Sequence, residues 1–267
     1  MPLDWIDVSN LSFLTILLFE RVQLSWLPGW LPEDKLAIAL RANPAVEWYL
    51  RHKCPPLNDW LDQVMSASQV GDSPDPVSVR QAEISVLTAI NDLVVYAVDP
   101  AVYDAQPFLN WNSQELLCLA DFSGKTIIDV GAGTGRLTMT VAPVAAAVFA
   151  VEPVENLRLY IKKKCLDRGI SNVYPVDGLI TNIPFPHNFA DVTMGGHVFG
   201  DDPEMEYREL LRVTRPGGMI ILCPGNSDID NDVHAFLDSR GFNWSRFEEP
   251  RDGWKRKYWQ KIPGKSC

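Results

Sequence analysis

The 267-residue chain lacks most of what would tie it to an oxidised compartment, a bilayer or a nucleic acid. Its five cysteines, at 54, 118, 165, 223 and 267, are odd in number, and no two stand as C-x-x-C. A disulfide framework and a zinc site are therefore not expected. With four scattered histidines, no catalytic metal is expected either. A reducing compartment is the simplest context. The apolar run Leu11 to Phe19 ends at Glu20 and Arg21, short of the roughly 20 residues a membrane span needs. The opening MPLDWIDVSN is acidic where a secretory signal is basic. Together these features predict a cytoplasmic protein without a membrane span. Positive charge is also in deficit: 24 Lys plus Arg face 34 Asp plus Glu, a net charge of -10. Such a surface repels phosphate backbones, so nucleic acid is not an expected partner. There is no internal repeat. Hydrophobic residues at 46% and charged residues at 22% exclude a disordered or fibrous chain.

What is abundant is tryptophan, nine in all, and five of them (Trp5, Trp26, Trp30, Trp48, Trp60) lie in the first 60 residues. That region reads as helices separated by prolines, over Leu11 to Trp26, Asp34 to Ala42, Pro44 to Arg51 and Leu57 to Met65. The stretch GDSPDP, Gly71 to Pro76, has the composition of a linker and marks a candidate boundary. Asp75 is placed as an N-cap with Pro76 at the first helical position. Val79, Val86, Ile90, Leu93 and Ala97 then recur at helical spacing up to Asp99-Pro100. Residues 1–105 are thus expected to form an all-helical region.

From residue 106 the pattern changes. Short apolar runs at Thr126 to Val130, Val148 to Val151, Val173 to Val176, Val192 to Met194 and Met219 to Leu222 alternate with helical segments. One of those helices is Val154 to Arg168, stopped by Gly169. Two more strand-like runs, Phe242 to Phe247 and Trp254 to Ile262, flank a turn at Pro250 to Gly253. The expected fold class is α/β. It comprises a Rossmann-like, seven-stranded, mostly parallel sheet closed by an antiparallel C-terminal hairpin, preceded by the helical region.

The most informative stretch is IIDVGAGTGR, Ile127 to Arg136. A buried strand runs into Gly131, Gly133 and Gly135, and a short helix, Leu137 to Ala142, follows. Glycines let the backbone turn sharply and let a ligand approach at the carboxyl end of the strand. Dinucleotide sites want G-x-G-x-x-G, whose third glycine would fall on Arg136. Asp129, just before the loop, suits a ligand that carries a positive amine better than one that carries pyrophosphate.

DVGAGTGR resembles motif I of the class I S-adenosylmethionine-dependent methyltransferases, with a type 11-like core. VFAVEP puts Glu152 at the end of the next strand, 21 residues after Gly131. NVYPVDGLI, FADVTMGGHVF and ELLRVTRPGGMIILCPG follow in the family's order, over about residues 106–267. The resemblance implies S-adenosylmethionine as cofactor. It places Asp129, Gly131, Ala132, Gly133, Gly135 and Arg136 along its loop, and Glu152 with Pro153 at the ribose hydroxyls. Asp177, Gly178 and Leu179 fall at the adenine and Gly195 on the methyl side. Tyr103 and Trp111, just before the core, are expected to cover the methionine end.

The implied reaction is methyl transfer to an acceptor, expected to be a small molecule. A base is needed only if that acceptor arrives protonated. His197, after two glycines, is the first candidate, with Asp201 and Asp202 next; a structural or cofactor-side role for His197 is the other reading. The basic residues Arg251, Lys255, Arg256, Lys257 and Lys261 are expected on the wet face of the hairpin. Lys162 to Lys164 are expected on a solvated helix face, and His52 and Cys54 read as structural. The helical region either forms an acceptor wall or lid, or makes a homodimer contact, or is a passive cap. Two rival readings are a non-catalytic protein that keeps the cofactor fold to bind a partner and a nicotinamide-dependent oxidoreductase. Arg136 weakens the second.

Overall fold

The computed structural model describes residues 5–67 and 75–264. The chain divides into two compact units, Met1–Tyr103 and Asp104–Cys267.

The first unit is helical. A 3-10 turn at Phe13–Leu18 leads to α1 (Arg21–Ser25), α2 (Glu33–Ala42), α3 (Pro44–Lys53), α4 (Asn58–Ala67), α5 (Pro76–Ala89) and α6 (Asn91–Val98). The starts follow local chemistry. Asp75 accepts from the Val77 and Ser78 amides at 3.0 and 3.1 Å, and Pro44 and Pro76 occupy first-turn positions where a missing N–H costs nothing. Leu24, Leu36, Leu40, Leu50, Leu61, Leu87 and Ile90 fill the core.

Three expectations need correction here. Leu11 to Trp26 is not one helix, because the chain is extended at Phe19 and Glu20. Buried Phe19 is turned into the core, its carbonyl accepts from the Tyr49 hydroxyl at 2.6 Å, and Glu20 starts α1 through a capping box with Gln23. The 79–97 periodicity is not one helix either; α5 and α6 meet at Ile90 with a bend of 85°. Buried Asn91 stabilises the break. Its Oδ1 accepts from the Trp5 and Ile6 amides at 2.9 and 3.2 Å, and its Nδ2 donates to the Ile6 carbonyl at 2.8 Å. Finally, the GDSPDP stretch is no domain boundary, since it joins α4 to α5 inside the first unit. Asn43 at the end of α2 donates to Glu83 of α5 at 2.8 Å. Positions 71–74 of that stretch lie outside the described residues. Among the described residues no single helix is long and apolar enough to cross a membrane; the bent α5–α6 pair passes by length and composition alone, and its apolar residues supply much of this core.

The second unit opens with α7 (Pro100–Asp104, which spans the division) and α8 (Gln114–Leu117). It continues with β1 (Thr126–Val130), α9 (Arg136–Val141), β2 (Ala147–Val151), α10 (Glu155–Asp167) and β3 (Val173–Val176). After these come β4 (Ala190–Gly195), α11 (Pro203–Val213), β5 (Thr214–Ser227), α12 (Asp232–Ser239), β6 (Asn243–Glu249) and β7 (Gly253–Lys261). The seven strands form one sheet, ordered β3-β2-β1-β4-β5-β7-β6. The first five are parallel, and β7 pairs antiparallel with both β5 and β6. Ile127, Ile128 and Val130 of β1 are buried on both faces, as a central parallel strand requires. The strand order reverses between β1 and β4, and the crevice at their carboxyl ends is where such sheets bind ligands.

The basic hairpin residues correct a further expectation. Lys255, Arg256 and Lys257 are buried, because β7 lies inside the sheet with both faces covered. On one face Lys255 pairs with Asp252, and Lys257 donates to Glu115 at 2.7 Å. On the other, Arg256 Nε meets Asp228 at 2.8 Å and its guanidinium lies 4.6 Å from the Trp244 ring centre.

Removing the side chain that stabilises the α5–α6 break tests this account of the first unit. Asn91→Ala should lower unfolding free energy by about 2 kcal/mol, because it removes the side-chain partner of three part-buried backbone groups. Urea titration followed by circular dichroism reads the change; a loss below about 0.5 kcal/mol would contradict it.

Candidate functional site

The crevice is built around the glycine loop. After β1 the chain passes through Gly131, Gly133 and Gly135 at φ of 64°, 54° and 84°, a backbone region that β-carbons disfavour. At Gly131 the need is twofold, because an added Cβ would stand 2.3 Å from Val198 Cγ2. The segment after β4 therefore packs directly on the loop.

Two buried carboxylates hold that loop. Asp129 Oδ2 accepts from the Thr138 amide at 2.9 Å and from its hydroxyl at 2.5 Å, tying β1 to the first turn of α9. Glu152, the residue after β2, accepts from the Gly133 amide through Oε2 at 2.8 Å and from the Val154 amide through Oε1 at 2.9 Å. Asp129 is 1% and Glu152 5% exposed. Burial pushes both up to about 7, partly opposed by these hydrogen bonds. The Asp129 oxygen that accepts these bonds is turned to the start of α9 and not toward a ligand amine.

The remaining expected residues divide into groups. Pro153 offers its carbonyl to Arg158 Nη1 at 2.7 Å, and the same nitrogen reaches Asp177 Oδ1 at 3.3 Å. The Asp177 side chain is 77% exposed after β3. Gly178 is demanded by packing, since a Cβ would meet Pro184 Cδ at 2.7 Å and Val151 Cγ1 at 2.9 Å. Leu179 is exposed beside it, in a small bridge with Asn182. Ala132, buried in the loop, donates its amide to the Val151 carbonyl at 3.1 Å. Gly195 has no room for a side chain against Val198 and the Val130 carbonyl.

The Arg136 guanidinium is committed to the segment before α8. It donates to the carbonyls of Leu109 and Trp111, each at 2.6 Å, and lies 5.0 Å from the Trp111 ring centre. Trp111 is correspondingly in the core, packed on Phe247 with ring centres 5.6 Å apart. Its ring is covered by the core and by the Arg136 guanidinium. Tyr103 belongs to the first unit, in an aromatic cluster with Trp5 and Tyr96 at 5.3 and 4.9 Å.

His197 lies in the left-handed region, with φ of 54°. Its amide donates to the Pro224 carbonyl at 2.8 Å, and its ring meets Phe108 edge-on. Asp202 caps α11 through the Met205 amide at 3.2 Å, which is a structural task. Asp201 is exposed next to it.

Four residues escaped the sequence reading. Glu206, buried, accepts the amides of Gly200, Asp201 and Asp202 at 2.7 to 3.2 Å and shapes the loop after β4. Lys164, expected in solvent, donates to Asp104 at 2.8 Å and to the Thr134 carbonyl at 3.0 Å. Thr134 keeps a buried hydroxyl without a hydrogen-bond partner in the glycine loop. Glu249, fully buried at the end of β6, meets His197 Nε2 at 2.7 Å. Only Glu206 carried a signal, since an acid four residues after a cap is a common first-turn device. Among the described residues no three His, Cys, Asp or Glu form a metal-ligand set.

A glycine loop at the switch point of a parallel sheet, with an acid at the end of the neighbouring strand, defines a Rossmann-like nucleoside-binding domain. Comparison with known proteins narrows this. Residues 128–222 match the family described as Methyltransferase domain. A demethylmenaquinone methyltransferase of Geobacillus sp. (strain WCH70) is 30% identical over 121 residues, 42% of this chain and 50% of that protein. A ubiquinone/menaquinone biosynthesis C-methyltransferase of Vibrio campbellii is 24% identical over 139 residues, 50% of this chain and 54% of that protein. The chain spans about half the length of the curated relatives it matches. The fold is shared with a SAM-dependent methyltransferase from Aquifex aeolicus, with a TM-score of 0.51 at 19% identity over 61% of this chain and 98% of that one. Residues 128–222 thus resemble a methyltransferase domain, and they lie in a unit whose fold is shared with an S-adenosylmethionine-dependent methyltransferase. The residues fit that cofactor: the loop glycines carry no side chain, Glu152 presents a carboxylate at the loop, and the Thr134 hydroxyl waits without a partner.

The two buried acids make a prediction about the ligand-free protein. Between the ordinary carboxylate range and about 7 the folded chain holds protons that the unfolded chain has released. Stability contributed by these groups therefore falls as pH rises through that window, and the penalty is complete above about 7. Asp129→Asn keeps an acceptor for Thr138 and removes one titration. Its stability relative to the parent should rise between pH 5 and 7 by up to about 1.4 kcal/mol per pH unit. Urea unfolding at four pH values tests the slope; a difference independent of pH would contradict the assignment.

Proposed function

We propose that this chain transfers the methyl group of S-adenosylmethionine to a small-molecule acceptor with an ionisable hydroxyl, such as a hydroxylated aromatic ring. The observation that carries the reading is the Glu152 carboxylate, hydrogen-bonded to the glycine loop at the carboxyl end of the central strands. The family match adds to it, and the names of the quinone-pathway relatives suggest the acceptor class. When bound, the cofactor supplies a methyl group already activated by a positive sulfur. The chain's own work is to bind, align and exclude water. Glu152 takes the ribose hydroxyls, and Asp177 with Gly178 and Leu179 flanks the base. Gly131 to Gly135 let the backbone approach, and Gly195 with the segment after it borders the transferred group. His197 takes a proton from the acceptor.

A nicotinamide-dependent reading has less support. Arg136 occupies the position of the third dinucleotide glycine, and its guanidinium is tied to Leu109 and Trp111. For residues 1–105 the proposal is acceptor selection. It rests on their tryptophan content and on the short connections between the late strands of the second unit.

Calorimetry with S-adenosylmethionine tests the cofactor assignment. Glu152→Ala should bind 10- to 100-fold more weakly, equivalent to about 1.5 to 3 kcal/mol for hydrogen bonds to a charged group. Because the bound carboxylate is ionised and the free one titrates at about 7, binding below pH 7 should release a proton. Affinity should therefore rise with pH up to about 7, and the binding enthalpy should depend on the buffer. No binding to the parent chain would end the proposal.

The acceptor class is tested with 1,4-naphthoquinol under reducing conditions, reading S-adenosylhomocysteine formation with and without EDTA. Turnover insensitive to the chelator is expected. Turnover lost with the chelator and restored by a metal would overturn the metal-free mechanism.

A further inference from the structure

Glu249 is the last residue of β6, beside the turn at 250–252. Because β7 runs antiparallel to β5, this end of the hairpin lies at the carboxyl edge of the parallel strands, with Ser227 of β5 paired to Lys255. Its side chain is fully buried. A carboxylate withdrawn from water is costly unless its oxygens are satisfied. Oε1 has His197 Nε2 at 2.7 Å. Oε2 accepts no hydrogen bond among the described residues, and Lys255 Nζ stands 3.8 Å from it. Lys255 in turn pairs with Asp252, whose carboxyl that lysine holds below the usual range. The charged groups around Glu249 are therefore Lys255 from β7, Asp252 from the turn and His197 from the segment after β4. Phe108 meets the imidazole edge-on.

This arrangement dictates the state of the imidazole. When ionised, Glu249 only accepts, so the nitrogen facing it then carries the proton. In the neutral ring that leaves Nδ1 as the bare nitrogen, and no protein group hydrogen-bonds to it among the described residues. The side chain is 35% exposed, enough to meet a ligand and to return a proton to water. Its backbone is locked in the left-handed region by the bond to the Pro224 carbonyl. A histidine whose orientation is imposed by a buried carboxylate at one nitrogen and left open at the other is built to accept a proton there.

We infer that Glu249 is a positioning residue that holds His197 with Nε2 protonated and Nδ1 free to deprotonate the acceptor. The inference rests on the methyl-transfer reading above. In the step, the hydroxyl O–H bond breaks and its proton goes to Nδ1. The electrons released, on oxygen or through the ring onto carbon, form the new bond to the methyl carbon, and the carbon–sulfur pair stays on sulfur as neutral S-adenosylhomocysteine leaves. The imidazolium formed beside Glu249 is stabilised by its charge and then loses its proton to solvent.

The test uses the full chain labelled with 15N-histidine and needs no acceptor. Long-range 1H–15N spectra at pH 8 should show His197 as one neutral tautomer, protonated at Nε2. Glu249→Met, which removes the acceptor at similar volume, should give a mixture of tautomers, and Glu249→Gln should restore the Nε2-protonated form through its amide oxygen. Both variants should bind S-adenosylmethionine within about threefold of the parent, which shows that the fold persists. With 1,4-naphthoquinol as acceptor, Glu249→Met should lower kcat by 100-fold or more at unchanged cofactor KM, within the range for loss of a positioned base. An Nδ1-protonated His197 in the parent, or a tautomer indifferent to Glu249→Met, overturns the inference, as does an unchanged kcat. If the parent binds the cofactor but does not turn over naphthoquinol, the acceptor class fails, and the spectra still decide the role of Glu249.

Discussion

The bond between the Glu152 carboxylate and the Gly133 amide is the contact around which the second unit is organised. It joins the end of β2 to the loop after β1 and so ties together two paired strand ends on one side of the crevice. Asp129 does the equivalent work one layer back, clamping the first turn of α9 through both Thr138 donors. Each acid is removed from water to do this, and burial raises the proton affinity of both. A loop so rich in glycine would otherwise sample many shapes, and the energetic cost of the buried acids is offset by its definition.

Much of this architecture was legible in the residues. β1 and β3 have the bounds their apolar runs implied, and the glycine spacing marked the crevice before any strand order was known. Periodicity works for such strands because both faces are buried and the whole run is apolar. It failed where a side chain outside the period decides the backbone. Phe19 leaves a helical pattern to enter the core while Tyr49 satisfies its carbonyl, and Ile90 ends a helix that its own apolar spacing would continue. Local pattern carries no information about partners that arrive from 30 or 85 residues away.

Charge was the least legible property. A basic cluster at the chain end reads as a wet surface, yet the antiparallel insertion of β7 between β5 and β6 puts three consecutive cations indoors. The same insertion brings Glu249 to His197, two residues 52 positions apart that no spacing rule connects. Lys164 shows the same effect on α10, where a helix-face lysine becomes the link between Asp104 and the glycine loop.

The partners of those buried cations also bear on how the chain assembles. Lys257 is satisfied by Glu115, 142 positions earlier, while Arg256 depends on Asp228 and Lys255 on the adjacent turn. The terminal hairpin can form locally, but it cannot be inserted beside β5 without leaving a bare ammonium in the interior until the segment around α8 has taken its place. Contacts of such long sequence separation are slow to form. Sheet closure is thereby made contingent on the segment that also carries Phe108 and Trp111. Insertion of β7 beside β5 would therefore follow the placement of the segment around α8.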